Sequence, residues 1–164
     1  MRKLFFLFIF LLFFCRYGYS ENSRFYDSGQ LTCNLMTTIC QDARGFVWIG
    51  TEYGLNKFDG VQFTQYLNKE NDATSLLGNI VRELFVDRDQ RLWVGCSNGL
   101  QYYLPEKDVF CTVPFEENLT PSVAEIVQLQ NGEIWLVATG RGLFKVDREN
   151  NKVVALGEIN KICG

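Results

Sequence analysis

Histidine is missing from this chain of 164 residues. Without an imidazole, the chain cannot build a Ser-His-Asp or Cys-His nucleophilic centre or a His-ligated zinc site. It also cannot supply the phospho-accepting histidine of a phosphorelay. Charge of one sign is not concentrated anywhere, and the net charge is only −3, so no basic surface is suited to nucleic acid. We therefore expect no metal or other cofactor, and no bound DNA or RNA.

Cys-x-x-Cys pairs are also missing, which leaves little support for a structural metal site. The six cysteines are Cys15, Cys33, Cys40, Cys96, Cys111 and Cys163. If Cys15 is removed with a leader peptide, five remain, and five cannot all pair internally. The favoured interpretation is that they are small buried apolar residues in strands, and a Cys33–Cys40 disulfide is the alternative.

Long hydrophobic runs are scarce as well. The apolar run at residues 4–14 has eleven residues, well short of the ~20 that a membrane-spanning helix needs. Arg2 and Lys3 precede it, and Gly18 and Ser20 place small residues at the sites a signal peptidase prefers. The pattern predicts a secretory signal peptide.

We therefore assign residues 1–20 to a cleavable signal peptide and residues 21–164 to an exported, periplasmic domain. A retained membrane anchor is the alternative for the apolar run. Lipid attachment at Cys15 is disfavoured because the bulky Phe14 stands where a small residue is expected.

The chain contains three tryptophans, and their spacing is regular. Trp48, Trp93 and Trp135 are 45 and then 42 residues apart, and a Gly-Leu pair comes after each. Around each tryptophan the sequence gives a turn, an apolar run, a second turn and the start of another run. A period of this size indicates a repeat architecture. The repeated segments are residues 42–55, 87–100 and 129–143.

The apolar runs within each repeat predict strands. They are short, rich in β-branched and aromatic residues, and bounded by Gly, Asn and Asp, which favours strands over helical repeats. The repeats cover residues 36–66, 80–113 and 123–156. The predicted strands are 36–41, 46–51, 55–59 and 62–66, then 80–86, 91–96, 100–104 and 109–113, then 123–129, 133–138, 143–147 and 152–156. A short strand is also expected at 25–26, and residues 159–163 resemble the start of a fourth repeat.

The second strand of each repeat decides the fold class. Residues 46–49 and 92–94 are apolar at consecutive positions, so both faces of these strands are covered. Four-stranded units covered on both faces and repeated every 40–45 residues are the blades of a β-propeller. Gly50 and Gly95 suit close approach of a neighbouring backbone. We predict an all-β fold, an incomplete β-propeller with three four-stranded antiparallel blades and the start of a fourth.

The turns before the tryptophan strands fit the same interpretation. Asp42 and Asp87 can accept hydrogen bonds from the backbone two residues further on, and Gly45 and Gly132 can adopt a positive φ. The third repeat has Leu129 at the position of Asp42, so its turn is expected to be less regular.

A family resemblance is carried by residues 39–60, which read Ile-x-Gln-Asp-x-Arg-Gly-Phe-Val-Trp-Ile-Gly-Thr-x-x-Gly-Leu-Asn-Lys-Phe-Asp-Gly. This string closely resembles the two-component regulator propeller repeat, and Ser-Leu-Leu-Gly-Asn-Ile-Val at 75–81 resembles the lead-in to its next blade. The resemblance extends over residues 25–160. The departures are Gln90, Cys96, Leu129 and Val137 at the positions of Gly45, Thr51, Asp42 and Gly50, and one inserted residue before Gly142.

The resemblance implies the periplasmic sensor region of a hybrid two-component system. In that family, two propellers precede a further β domain, a single membrane span, a histidine kinase, a receiver and a DNA-binding domain. The implied ligand is an oligosaccharide from polysaccharide breakdown. The implied partners are the remaining blades and the kinase of the full-length sensor, with membrane contact only through a downstream span and homodimerisation an option for the full-length form. The chain is expected to be an amino-terminal fragment of such a sensor.

Ligands of a propeller meet the loops at one end. The candidate loops are the turns at 52–53, 97–98 and 140–141 and the connections 68–79 and 116–122. We select Glu52, Tyr53, Asn98 and Arg141 as candidate ligand-binding residues, with Tyr53 able to stack on a sugar and Arg141 able to hydrogen-bond to it. Ordinary solvated turn residues are the alternative. The tryptophans are expected in the core, not as sugar platforms.

Two other functions remain open at this point. A propeller enzyme acting on glycans needs a carboxylate pair, but no spacing selects one among Glu52, Asp59, Asp87, Asp89, Glu116 and Glu117. A remnant with no independent activity is the third interpretation. In a three-bladed piece, the outer faces of the first and last blades are expected to be apolar and uncovered, which favours association.

Overall fold

The computed structural model of the chain describes residues 30–157. Its strands are β1 (Met36–Gln41), β2 (Val47–Thr51), β3 (Gly54–Phe58), β4 (Phe63–Tyr66), β5 (Val81–Val86), β6 (Leu92–Cys96), β7 (Gly99–Leu104), β8 (Val109–Val113), β9 (Val123–Gln128), β10 (Ile134–Ala138), β11 (Gly142–Asp147) and β12 (Lys152–Ala155). Each of these twelve strands lies where the sequence predicts it, with ends that agree within one residue. The signal peptide, the strand at 25–26 and the fourth repeat at 159–163 lie outside the described residues.

The strands form three separate four-stranded sheets, each an antiparallel meander. Their orders are β1-β2-β3-β4, β5-β6-β7-β8 and β9-β10-β11-β12, and we call them blades 1, 2 and 3. The first strand of each blade contacts the first strand of the next, β1 with β5 and β5 with β9. Successive blades therefore stand side by side around a common line, with their first strands innermost. The all-β, incomplete propeller predicted from the sequence is confirmed.

Blade 2 is covered on both faces, as the consecutive apolar residues of β6 predict. All five residues of β6 are buried. Leu92 and Val94 pack in one apolar cluster with Trp48 of blade 1. Trp93, which points the opposite way, packs in a second cluster with Ile126 of blade 3. Alternate residues of one strand thus supply two inter-blade interfaces, because side chains alternate across a strand.

Two glycines allow these interfaces to be close. A Cβ placed on Gly50 would lie 2.7 Å from Val81 Cγ1, and a Cβ on Gly95 would lie 2.9 Å from Val123 Cγ1. Both valines begin the innermost strand of the next blade, so the prediction of close approach is confirmed. In blade 3 the same position in the register carries Val137, on a face that no other blade covers within residues 30–157.

The turn before each tryptophan strand binds the indole. Asp42 Oδ1 accepts hydrogen bonds from the Arg44 and Phe46 amides, and its Oδ2 accepts one from Trp48 Nε1 at 3.0 Å. Asp87 binds Trp93 Nε1 in the same way at 2.9 Å. This explains the six-residue spacing of aspartate and tryptophan in the first two repeats.

In blade 3 a carboxylate also binds the indole of the tryptophan, but it comes from a different position in the turn. Leu129 cannot accept a hydrogen bond, and Glu133 accepts one from Trp135 Nε1 at 3.2 Å instead. Asn131 Oδ1 accepts a hydrogen bond from the Glu133 amide and orders the turn. Gly132, with φ +90°, has the left-handed conformation that the sequence predicts.

The tryptophans differ in burial. Trp48 and Trp93 are 0% and 1% exposed, so the prediction that they lie in the core is confirmed. Trp135 is only half-buried, because it lies on the open face of blade 3. On the open face of blade 1, Met36 and Ile39 are 62% and 67% exposed. Uncovered apolar residues on the outer blades are therefore present as expected.

The cysteines within the described residues are unpaired. Cys33 and Cys40 are free thiols, so the alternative of a disulfide between them is wrong, and Cys96 and Cys111 are also free. Burial raises the pKa of Cys40 and of Cys96 to about 12, which keeps both thiols protonated. In residues 30–157 no helix has the length and apolar character to span a membrane, and no cluster of three acidic, cysteine or histidine side chains could hold a metal ion.

Candidate functional site

The predicted ligand loops do lie together at one end of the blades. The turn after β2 is bound to the lead-in of blade 2, since the Gly54 amide donates to Asn79 O at 2.6 Å. The Ser97 amide donates to Ile80 O, and the Thr139 amide donates to Ser122 O. Each second turn of a blade therefore lies beside a blade-to-blade connection. We call this the connection end.

Two of the selected residues occupy the blade 1 turn at the connection end. Glu52 forms an ion pair with Arg82 of β5, with 2.6 Å between the carboxylate and the guanidinium. Tyr53 is 55% exposed, and its amide is held by a hydrogen bond to Thr51 Oγ1. The tyrosine ring is thus presented to solvent on an ordered turn, while Glu52 links two blades.

Asn98 and Arg141 lie in the equivalent turns of blades 2 and 3. The Asn98 amide nitrogen donates to Leu77 O at 3.1 Å, and its Oδ1 is buried without a hydrogen-bond partner among the described residues. Arg141 has an exposed side chain. Within residues 30–157 no hydrogen bond joins selected residues of different blades, so their role as a single binding site stays a prediction.

Further candidate site residues lie in the first connection, between β4 and β5. The sequence indicates this loop, but none of its residues was selected. Here a cavity of about 480 Å³ opens between the connection and the outer strands of blade 2. Its lining residues include Asn68, Lys69, Glu70, Asn71, Gln101 and Thr112. A second cavity of about 310 Å³ lies on the other side of the same connection, against β4. The feature of the sequence that points to this cavity is the length of the connection.

The first connection has a fixed backbone. Asp72 Oδ1 accepts hydrogen bonds from the amide and the hydroxyl of Thr74, and the Ser75 hydroxyl donates to Asp72 O at 2.8 Å. The Lys69 amide donates to Ser75 Oγ, and the Asn68 side-chain amide donates to Leu76 O. The hydrogen bonds from the Thr74 hydroxyl and, less strongly, from the Thr74 amide lower the pKa of the Asp72 carboxyl. The loop is therefore ordered by its own polar groups.

Gln101 of β7 holds the end of this connection against blade 2. The side chain is 1% exposed, and its Oε1 accepts a hydrogen bond from the Leu77 amide at 2.7 Å. Its Nε2 lies 3.1 Å from both Ser75 O and Thr112 Oγ1 and donates to them. Asn56 of β3 accepts a hydrogen bond from the Thr32 amide in the same way. A buried amide side chain is thus the repeated anchor for the lead-in of blades 1 and 2.

A polar and aromatic cluster joins the outer strands of blades 1 and 2. The hydroxyls of Tyr66 and Tyr103 both donate to Asp108 Oδ1. The Lys57 ammonium lies 3.9 Å from the same oxygen and 5.5 Å from the centre of the Trp48 ring. Burial opposes ionisation of Asp108, but the two hydroxyls and the ammonium bring the pKa of its carboxyl below the ordinary value. The two hydroxyls and the ammonium all converge on Asp108 Oδ1, so the cluster links the outer strands of the two blades.

Two of the carboxylates considered for an enzyme, Asp87 and Asp89, are held in ion pairs. Arg148 of blade 3 binds Asp87 and Asp89 of blade 2, and this lowers the pKa of the Asp89 carboxyl. A general acid needs a raised pKa. Among the described acids, such a shift is present at Glu83, where burial and the charge of Glu125 raise the pKa and a hydrogen bond from Thr38 opposes the rise.

The fold and its turns define the chain as consecutive blades of a β-propeller built from tryptophan-centred repeats. The family model described as two component regulator propeller matches residues 30–53 and 75–98. The matched segments contain the first two strands of blades 1 and 2, so the resemblance predicted from the sequence is confirmed for these segments.

Similar proteins point to sensors of two-component systems. The crystal structure of the extracellular domain of BT3049 from B. thetaiotaomicron, described as a hybrid two component system, has a TM-score of 0.72 and 28% sequence identity, over 80% of this chain and 20% of that chain. Histidine kinase P4 of Formosa agariphila is 35% identical over 101 residues, which are 57% of this chain and 7% of the kinase. The chain therefore spans a small part of the length of either relative.

An enzyme shares the fold. Virginiamycin B lyase from Staphylococcus aureus aligns with a TM-score of 0.52 and 19% identity, over 72% of this chain and 39% of the lyase. At this identity the likeness concerns the fold alone. A variant of the same lyase in which one histidine is replaced by alanine is described as catalytically inactive.

Proposed function

We propose that this chain forms consecutive blades of the ligand-sensing propeller of a hybrid two-component system. The observation that carries the proposal is the 28% identity with the extracellular domain of such a system over 80% of the chain. The propeller repeats and the similarity to a histidine kinase support it. In this proposal, residues 1–20 direct export to the periplasm, and the sensor signals to a kinase that these residues do not contain.

The proposed ligand is an oligosaccharide bound at the connection end. Tyr53 offers an exposed ring on an ordered turn, and such a ring can stack on the apolar face of a sugar. Arg141 offers an exposed guanidinium in the equivalent turn of blade 3, and Asn98, whose amide nitrogen already donates to Leu77 O, lies in the equivalent turn of blade 2. In the full-length sensor, ligand binding here changes kinase activity, and the sensor module itself catalyses no reaction.

An oligosaccharide array probed with the full chain tests this function. We expect binding to one class of glycan, with loss in the Tyr53→Ala variant and retention in the Val61→Ala variant. Val61 is the matched control because it is 70% exposed in a turn at the opposite end of blade 1. No binding to any oligosaccharide would contradict the proposed ligand class.

The second candidate is a propeller enzyme, favoured by the shared fold of virginiamycin B lyase. The absence of histidine from this chain and the ion pairs of Asp87 and Glu116 count against it. Chromatography of the same oligosaccharides after incubation with the chain separates the candidates. Unchanged oligosaccharides agree with a sensor, whereas steady turnover would establish an enzyme.

A further inference from the structure

The two blade-to-blade connections are built differently, although both contain an equivalent backbone hydrogen bond. Residues 67–80 join blade 1 to blade 2, and residues 114–122 join blade 2 to blade 3. The Phe110 amide donates to Thr74 O in the first, and the Val153 amide donates to Pro114 O in the second. Phe110 and Val153 occupy the same register position, opposite the third strand of their blades. The first connection thus carries five additional residues around a shared contact.

The residue after this shared contact decides whether the space between the blades is filled. In the second connection that residue is Phe115, which is 5% exposed and packs on Phe144 with 5.3 Å between ring centres. In the first connection it is Ser75, and Gln101 stands at the register position of Phe144. Two packed aromatic side chains therefore fill the space between blades 2 and 3, whereas a serine and a glutamine occupy the equivalent position between blades 1 and 2. The cavity of about 480 Å³ lies at this point.

The additional residues place polar side chains that are not held by hydrogen bonds around the cavity. Within residues 30–157, the side chains of Glu70 and Asn71 form no hydrogen bond, and both line the opening. The Lys69 ammonium interacts with Asp72 only through its charge. Asn71 has φ +62°, a conformation that asparagine adopts more readily than most residues. These groups stand on a backbone already fixed by hydrogen bonds, so little backbone conformational entropy is lost when they bind a ligand.

The apolar surface of the cavity comes from Ala73, which is exposed, and Leu77, which is half-buried. Leu76, which is 1% exposed, packs behind them in the core between blades 1 and 2. Ligand sites commonly combine such apolar surface with a few placed polar groups. A sugar ring presents C–H faces and a rim of hydroxyls, and these match an apolar wall with amide, ammonium and carboxylate groups around it. The charges of Lys69, Glu70 and Asp72 are of both signs, which does not select a strongly charged ligand.

We propose that the cavity of the first connection is a saccharide-binding subsite, in which Asn71, Glu70 and Lys69 bind the hydroxyls and Ala73 and Leu77 form the apolar wall. The proposal rests on the proposed function, since it names where on the sensor one sugar unit of the oligosaccharide binds. It places that unit between blades 1 and 2, on the outer side of the connection end. The equivalent space between blades 2 and 3 is filled by Phe115 and binds no sugar.

Titration calorimetry of the full chain tests the subsite. The probes are hexasaccharides of glucose, xylose, mannose and galacturonic acid. In the Ala73→Trp variant an indole fills the cavity, and in Asn71→Gly an amide is removed while the positive φ is kept. Val61→Trp adds the same indole to an exposed turn at the opposite end of blade 1 and is the matched control. Circular dichroism confirms that each variant is folded.

We expect a hexasaccharide that binds the unaltered chain to lose about tenfold or more in affinity with Ala73→Trp, roughly 1.4 kcal/mol or more. Asn71→Gly should lose a smaller factor, and Val61→Trp should bind unchanged. Undiminished binding to Ala73→Trp and Asn71→Gly, with loss in Tyr53→Ala, would overturn the subsite while leaving the sensor function intact. If none of the four hexasaccharides binds the unaltered chain, both the subsite and the proposed ligand class are contradicted.

Discussion

The two inter-blade interfaces have the same layout and different contents. At matching register positions, the first interface has Leu84 and Tyr103 where the second has Ile126 and Val146. The first interface is therefore richer in aromatic rings, with Trp48 5.8 Å from Tyr66 and 4.8 Å from Tyr103 between ring centres. The second is mainly aliphatic around Trp93.

The ion pairs of the two inter-blade interfaces also differ. In the first interface, Lys57 and Asp108 lie among the aromatic rings. In the second, Arg148 binds Asp87 from the edge of the interface. Both interfaces share a tryptophan held by an aspartate and a glycine that admits the next innermost strand. The repeat therefore specifies the tryptophan held by an aspartate and the glycine beside the next innermost strand. The rest of the interface can be filled by either aromatic or aliphatic side chains.

The largest expected effect is at the tryptophans. Trp93→Ala should lower the free energy of unfolding by about 3–5 kcal/mol, because it empties the centre of the second interface. Trp135→Ala should cost about 1 kcal/mol or less, since this side chain lies on an open face where burial is incomplete. Urea unfolding followed by circular dichroism measures both. Equal losses for the two variants would show that the open face of blade 3 is wrongly described.

The aspartates that bind the indoles come next. Asp87→Ala should lower the free energy of unfolding by about 2–3 kcal/mol, because it leaves the buried Trp93 Nε1 and two backbone amides without an acceptor. Asp42→Ala should cost less, since Asp42 is only half-buried and does not bind Arg148. The same unfolding measurement applies. A larger loss for Asp42→Ala would contradict the order of the two sites.

A smaller effect is expected where the innermost strands meet. Gly95→Ala should cost about 1–3 kcal/mol, because the added Cβ would meet Val123. Val137→Ala, at the matching position of blade 3, is the control and should change stability by about 1 kcal/mol or less. Thermal unfolding compares them. A neutral Gly95→Ala variant would show that the blades are further apart than described.

The smallest effect concerns Glu83 on the innermost strand of blade 2. Burial and the nearby Glu125 raise the pKa of its carboxyl above the ordinary 4.5. The folded chain then holds this proton more tightly than the unfolded chain, so stability falls as the pH rises through the raised pKa. Glu83→Gln should remove this loss and gain about 0.5 kcal/mol or less at pH 7 after solvent screening.

The pH profile of stability checks the sign of this effect. Glu83→Gln should give a flatter profile above pH 4.5 than the unaltered chain. A profile for Glu83→Gln that matches the unaltered chain would contradict the burial assigned to this carboxyl.

The blade architecture could be predicted from the sequence because its determinants are local and repeated. Apolar residues on both sides of Trp93 require two covered faces, and the aspartate six residues earlier predicts the turn. The substitution of Glu133 for the missing aspartate in blade 3 could not be foreseen. Its carboxylate reaches the indole from the strand side of the turn, and no spacing in the other repeats signals that geometry.

The candidate site was less predictable. The loops of the connection end can be deduced from the strand order, so Tyr53 and Arg141 could be placed there from the sequence. The cavity depends on the pairing of Gln101 with Ser75, which are 26 positions apart. That pairing becomes visible only when the register of β7 is known. The unusual length of the first connection was the available signal, and its chemistry required the three-dimensional structure.

The central claim is that Trp48 and Trp93 are sealed between neighbouring blades while Trp135 lies on an open face. Hydrogen exchange of the three indole N–H groups, monitored by ¹⁵N NMR of the full chain and assigned with single Trp→Phe variants, tests it most directly. We predict slow exchange at Trp48 and Trp93, whose indoles bind buried or half-buried aspartates, and much faster exchange at Trp135. Equal exchange at all three indoles, or slowest exchange at Trp135, would contradict the arrangement of the blades.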